Sequence, residues 1–264
     1  MFTACDAHLD AAEGRLLLST KYPETVAESV KIDGLYGFRS LMTEAVAGHM
    51  VGFTRVDENS IGTTIEAVKS YYGAYGQPFV WMVNERSQPA NLADYLQAAG
   101  FVRARCFHGM VFTDLHHMIK LNPKVSIHVA QKDDHCHVHR LYHDAYGMGD
   151  DDHVAAILAM RNAVNARHYL AWIEGESQPV AVGTMYYIPD QPIVTLQGAA
   201  TLEAFRGKGI YSALLARRLD DARRDGMETA VAHANPETSG PILARMGFEK
   251  VLDLGLYRYP SPGG

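Results

Sequence analysis

The chain has 264 residues, of which 47% are hydrophobic, and a formal net charge of −6. That is an ordinary globular balance, long enough for two domains at roughly 150 residues each or for one large one, and its dispersed basic residues argue against a nucleic-acid or membrane-surface partner. No apolar run approaches the roughly 18 residues of a membrane span. The start Met1-Phe2-Thr3-Ala4-Cys5-Asp6 lacks a secretory signal's basic region, and Cys5, Cys106 and Cys136 are widely spaced and odd in number, so reduced thiols and a cytoplasmic location are expected.

Residues 6–48 show helix-like periodicity broken by turn signals at Tyr22-Pro23 and Asp33-Gly34. A strand is expected at Val51–Val56, a helix over Thr63–Tyr75 stopped by Gly76, and a buried strand at Pro78–Val83. Ala90–Ala99 reads as a helix ended by Gly100, and Val102–Leu115 as one long strand or a hairpin turning at Gly109. Leu121-Asn122-Pro123-Lys124 resembles a linker. The second half repeats the order more clearly. It gives a strand at Val125–Ala130, helices over 133–146 and 152–165, and strands at Tyr169–Ile173, Val180–Tyr187 and Ile193–Leu202. A long helix over Gly209–Gly226, a strand at Thr229–Ala234, a short helix at Pro241–Met246 and a last strand at Leu252–Tyr259 follow. The fold class is α/β, a mixed twisted sheet flanked by helices. Phe79–Asn84 and Tyr95–Phe101 are echoed by Ala230–Asn235 and Ile242–Phe248, which argues for two similar halves, residues 1–120 and 121–264.

Chemistry concentrates in Thr201–Leu215. A strand leads into a short loop in which Gly207 and Gly209 flank Lys208, and a helix follows. Unpaired amides and the positive end of the helix dipole make such a start an anion site. Glycines let backbone approach a phosphate closely, and Arg206 and Lys208 add positive charge. A pyrophosphate fits. The phosphate-loop pattern GxxxxGK followed by Ser or Thr fails because Gly209 follows Lys208, and G-x-G-x-x-G fails at Ser212. A nucleotide-binding module is therefore disfavoured.

Arg206-Gly207-Lys208-Gly209-Ile210-Tyr211 resembles the Q/R-x-x-G-x-G/A motif of the GNAT N-acetyltransferases. The likeness covers about residues 125–260, with paired strands upstream and Asn235 followed by Met246-Gly247-Phe248 downstream. The resemblance implies acetyl-CoA as cosubstrate, no metal, and a primary amine of a small molecule or peptide as acceptor. It implies that the backbone of Ala199, Ala200 and Thr201 meets the pantetheine and acetyl carbonyl. The amides of Arg206, Gly207, Lys208, Gly209, Ile210, Tyr211 and Ser212 would hold the pyrophosphate, and Asn235 would face the pantetheine arm.

The sequence departs from the family at Tyr211, where Gly or Ala is usual, and at Leu243, where many members place a tyrosine acid. A non-catalytic acyl-CoA-binding sensor is the alternative function that Leu243 suggests. His233, on the strand before Asn235, is the candidate general base, with a core histidine as the plainer reading. Tyr186 and Tyr187 read as packing residues. His135, His139 and His143 share a helix face, but a polar helix lining the acceptor cleft is preferred to a metal site. The first half has Asp57-Glu58-Asn59-Ser60-Ile61-Gly62-Thr63-Thr64 where a phosphate loop would stand. Two acids and one glycine there would repel a pyrophosphate, so this half is expected to be a degenerate GNAT-like repeat that is structural or walls the acceptor pocket.

Overall fold

The computed structural model describes residues 6–43, 48–115, 122–145, 147, 151–163 and 165–260. Two compact units emerge, counting described residues only. The first spans Met1–Met110, Ala234–Gly240 and Lys250–Gly264, and the second Val111–His233 and Pro241–Glu249. The 121–264 segment expected as one domain thus contributes its last strand to the first unit. No described helix is long and apolar enough to cross a membrane.

The first unit begins with α1 (Asp6–Ala12) and α2 (Arg15–Leu18), followed by β1 (Ala27–Ser29), β2 (Tyr36–Ser40) and β3 (His49–Gly52). Next come α3 (Ile61–Gly73), β4 (Phe79–Val83), α4 (Leu92–Ala98) and β5 (Val102–Phe112). The strand β11 (Glu249–Tyr259) joins its sheet, in the order β1-β2-β3-β4-β11-β5. β11 runs antiparallel to β4 from Gly255↔Val83 to Tyr259↔Phe79. α3 turns Ile61, Ile65, Val68 and Tyr72 into the core beside Trp81 and Phe101, the spacing of one apolar helix face.

The helix-like periodicity of 6–48 is corrected here. Only its start is helical, and β1, β2 and β3 follow. These strands are three to five residues long, so each is too short for its own alternation to outweigh a helical pattern. Antiparallel pairing from Ala27↔Ser40 to Ser29↔Phe38 makes them strands. The expected Val51–Val56 strand ends early because Phe53 adopts φ 52°, outside the extended region. β5 passes through Gly109 without a turn. A Cβ at Gly109 would lie 2.6 Å from Leu252 Cδ1 and 3.1 Å from the Ala12 carbonyl, so close packing accounts for this glycine.

The second unit orders its own strands β10-β9-β8-β7-β6. These are β6 (Val125–Val129), β7 (Ala166–Ile173), β8 (Ala181–Tyr187), β9 (Ile193–Thr201) and β10 (Thr229–Ala234). Its helices are α5 (His135–Asp144), α6 (Asp151–Asn162), α7 (Ile210–Arg224) and α8 (Ser239–Arg245). Val138, Leu141 and Tyr142 of α5 pack with Leu170, Val182 and Ala200 of the strands. Along α7 ion pairs form, Arg223 to Asp220 at 2.8 Å on the exposed face and Arg217 to the buried Asp221 at 3.0 Å. Arg218 departs from them. It is 1% exposed and donates to the Leu214 and Thr184 carbonyls at 3.2 and 3.1 Å. Gly183 makes room for it, since a Cβ there would meet the guanidinium carbon at 3.2 Å. Burial pushes the Arg218 pKa down.

The repeated strand-helix-Gly-Phe pattern has one physical cause in both units. Gly100 and Gly247 have φ of 92° and 95°, and each ends its helix. Phe101 then donates to the Leu96 carbonyl at 3.0 Å and Phe248 to the Leu243 carbonyl at 3.1 Å. This is a glycine C-terminal cap with its accompanying apolar contact.

Candidate functional site

The site is built where β9 and β10 stop pairing. They run parallel from Thr229↔Ile193 to Ala232↔Leu196. Beyond that point β9 continues as Gln197–Thr201 with no recorded β10 partner among the described residues. A gap between parallel strands leaves backbone donors and acceptors ready for an extended ligand. β9 also bulges, because Thr184↔Gln197 is followed by Val182↔Ala200. Two residues on β8 thus span three on β9. Gly198 carries the bulge with φ 56°.

Directly after β9, Glu203–Phe205 forms a single 3₁₀ turn, and the loop enters α7. Gly207 and Gly209 both have φ 76°, a conformation that favours glycine. No described heavy atom lies within 4 Å of a Cβ built on Gly207, and the nearest to one on Gly209 is Asn122 Cβ at 3.7 Å. The loop therefore has an open face. Arg206, Gly207, Lys208 and Gly209 are all exposed. Asn122 Nδ2 donates to the Lys208 carbonyl at 2.9 Å and Arg206 Nε to the Thr201 carbonyl at 3.3 Å, which brace the loop from both ends. Ala213 donates back to Gly209 at 3.0 Å, so the amides of Ile210, Tyr211 and Ser212 head the helix with no acceptor four residues earlier inside it. The Arg206 amide is engaged with the Glu203 carbonyl at 3.1 Å, and the amide cradle begins at Gly207.

His233 follows Ala232, the last residue of the β9–β10 register, and is half-buried. Asn235 falls in the segment that clusters with the first unit. Its carboxamide oxygen accepts from the Glu237 and Thr238 amides at 2.8 and 3.2 Å, and its own amide donates to Ser239 Oγ at 2.9 Å. Leu243 is 1% exposed and packs as a core residue of α8. Tyr186 is buried, and the Tyr187 hydroxyl is bound to Asp225. In α5, His143 contacts Asp144 at 2.8 Å, and the described residues contain no group of three or more potential metal ligands. Two open surface depressions, one around Lys124, His128 and Trp172 and one around Gln131, Asn165 and Tyr187, share no residue with the loop.

The first unit has the same strand-helix-strand order, β3-α3-β4, with a short parallel pairing at Met50↔Val80 and Val51↔Trp81. There the space beyond the pairing is filled. Glu13, 0% exposed, receives Arg55 Nη2 at 2.8 and 2.9 Å and Asn84 Nδ2 at 3.0 Å. Arg86 Nη1 lies 3.0 Å from the same carboxylate. The loop amides are consumed as well, Arg55 on the Gly34 carbonyl at 2.7 Å and Val56 on the Gln88 carbonyl at 3.3 Å. Sequence reasoning found the acids of this loop but missed the Glu13 cluster. Its members are 42 and 71 residues apart, and no local pattern links them. It also missed the bulge, although a lone glycine inside a strand pattern was the available signal.

A parallel strand pair that parts beside a glycine loop capping a helix, in a mixed sheet flanked by helices, defines the acyl-CoA N-acyltransferase fold. Residues 129–248 match the Acetyltransferase (GNAT) family. Among solved structures, a GCN5-related N-acetyltransferase from Kribbella flavida is similar with a TM-score of 0.74 and 16% identity, over 100% of this chain and 98% of its own. One from Sphaerobacter thermophilus is similar with a TM-score of 0.65 and 14% identity, over 97% and 95%. A tandem GNAT protein from the clavulanic acid biosynthesis pathway is similar with a TM-score of 0.62 and 11% identity, over 96% and 88%. These likenesses are of fold, and they extend over both units. No curated protein matches the sequence significantly.

Proposed function

We propose that the chain transfers the acetyl group of acetyl-CoA directly to a primary amine of a small molecule or a peptide, using the second unit. The observation that carries this reading is the parting of β9 from β10 after Leu196↔Ala232, followed by a loop with two left-handed glycines at the head of α7. The cosubstrate supplies an activated acyl group and a thiolate leaving group. The amides from Gly207 to Ser212 bind its pyrophosphate, with Arg206 and Lys208 adding charge. Backbone groups of Ala199, Ala200 and Thr201 pair with the pantetheine arm as an added strand would. The Asn235 carboxamide oxygen is used by its own turn, which leaves its Nδ2 as the end of that side chain able to meet a ligand. Holding the thioester and amine in register supplies much of the rate by orientation. The first unit binds no coenzyme A, because Glu13 and its partners fill the corresponding space.

The loop assignment is tested by Gly209→Val. A β-branched side chain at φ 76° is strained and projects over the cradle. Acetyl-CoA affinity measured by calorimetry is expected to fall about tenfold or more, ~1.4 kcal/mol. Unchanged affinity in a folded variant removes the pyrophosphate from this loop.

His233 is assigned as the base that takes the proton from the acceptor ammonium. His233→Ala is expected to lower kcat by roughly ten- to a hundredfold, toward the low end of what a positioned base contributes, with little change in acetyl-CoA affinity. The wild-type rate should rise with pH as the imidazole deprotonates, and the variant should lose that limb. A variant with an unaltered kcat and pH profile makes His233 a structural residue. The burial of Leu243 supports one other reading, an acyl-CoA sensor without turnover. Thiol release over a panel of amines separates them, since a sensor binds the thioester and releases no thiol.

A further inference from the structure

A buried polar chain links three strands and two helices of the second unit and ends on the β9 bulge. The Tyr142 hydroxyl, from α5, donates to the Gly198 carbonyl at 2.9 Å and is hydrogen-bonded to Thr184 Oγ1 on β8. His168 Nδ1 on β7 lies 2.9 Å from Thr184 Oγ1, and His168 Nε2 lies 3.0 Å from Oδ1 of Asn162, the last residue of α6. The Arg161 guanidinium covers the Tyr142 ring at 4.5 Å. Desolvation and the charge of Arg161 push the His168 pKa down to about 4, so its ring is neutral near pH 7.

With a neutral ring, one proton order satisfies all four contacts. This order exchanges the two ends of the Asn162 amide, so that its NH₂ rather than Oδ1 meets and donates to His168 Nε2, and His168 Nδ1–H donates to Thr184. Thr184 donates to Tyr142, and Tyr142 donates to Gly198. The reverse order has one proton too few, because Tyr142 would have to serve both Thr184 and Gly198. Bonds aligned in one sense also strengthen one another. Their terminus is the Gly198–Ala199 peptide. In a planar trans peptide the carbonyl and the next amide point in opposite directions. Fixing the Gly198 carbonyl on Tyr142 therefore aims the Ala199 amide away from α5. Neither Gly198 nor Ala199 has a register partner on β8. A Cβ at Gly198 would lie 2.2 Å from the Tyr142 oxygen, which shows how closely the two are fitted.

We propose that Tyr142 is a positioning residue for acetyl transfer, holding the Gly198–Ala199 peptide so that the Ala199 amide donates to the acyl carbonyl oxygen. Thr184 and His168 set the direction of its proton. This rests on the proposed function above and adds to it the residues that orient the oxyanion donor, whose aim decides how much charge it stabilises as the carbonyl is attacked.

The test needs no acceptor. The full-length protein is bound to acetonyl-CoA, a ketone analogue carrying a ¹³C label at its carbonyl, and the isotope-edited carbonyl stretch and the dissociation constant are measured. The wild type should shift the stretch to lower frequency than in water. Tyr142→Phe should lose at least half of that shift while the dissociation constant changes less than about threefold, under ~0.7 kcal/mol. Thr184→Val should behave like Tyr142→Phe, and Thr184→Ser should restore the wild-type frequency, which keeps the test open if one variant fails to fold. Wild-type frequencies in both Tyr142→Phe and Thr184→Val overturn the inference, as does a bound wild type with no shift. Failure of the wild type to bind the analogue removes the proposed function itself, and this inference with it.

Discussion

Replacing Glu13 by alanine is expected to destabilise the first unit by about 3 kcal/mol, the low end of the cost of breaking a buried ion pair. Glu13 is 0% exposed and gathers Arg55, Arg86 and Asn84 within 3.0 Å. Removing it strands Arg55 and the Asn84 carboxamide, while Arg86 keeps Asp10 at 3.1 Å. The loss stays near the low end because the side chains of Arg55 and Arg86 are 25% and 31% exposed and can turn toward water. Glu13→Gln, which retains an acceptor for Asn84, should cost less. Denaturant unfolding with the Trp81 environment as probe measures this, since Trp81 is buried in the same unit. A loss under about 1 kcal/mol, the scale of an exposed pair, would mean that the cluster is ornamental and that the closed space in this unit has another cause.

A chain ended at Phe248 is expected to lose the cooperative structure of the first unit, although the deleted strand lies more than a hundred residues beyond β5 in sequence. β11 lies between β4 and β5, so its loss strips β4 of the pairing from Gly255↔Val83 to Tyr259↔Phe79. It also removes Leu252, Leu254 and Tyr257, all buried. At roughly 1.5–3 kcal/mol for each large apolar side chain, the packing loss alone is about 5–9 kcal/mol. That is comparable with the whole stability of a typical domain, about 5–15 kcal/mol. Hydrogen exchange of the Phe79–Val83 amides reads the result. Protection at wild-type levels in the shortened chain would show that β4 does not depend on β11.

The expected and observed elements agree best where one periodic face is long. α7 was expected over Gly209–Gly226 and spans Ile210–Arg224, because the apolar arc from Ile210 to Ala222 is visible locally. β8, β9 and β10 fall within one or two residues of expectation for a similar reason, as buried β-rich runs with clear turns between them. β1 and β2 were not legible. Their few residues become strands by pairing with each other and with β3, and no local pattern encodes a partner. The burial of Arg218 is not legible locally, because it depends on the absence of a side chain at Gly183, 35 positions earlier in the chain.

The amino-acid sequence by itself determined the glycine loop before α7, since the two glycines, the flanking cations and the helix that follows are contiguous and their chemistry is local. It also determined the glycine caps at Gly100 and Gly247, because a left-handed helix end is specified by the residue that occupies it. Only the tertiary structure decided the rest. The gap between β9 and β10, the bulge held by Tyr142, the Glu13 cluster and the placement of β11 in the first unit all join groups far apart along the chain. Each depends on which backbone atoms remain unpaired after the sheet forms, and that is a property of strand register and burial in three dimensions.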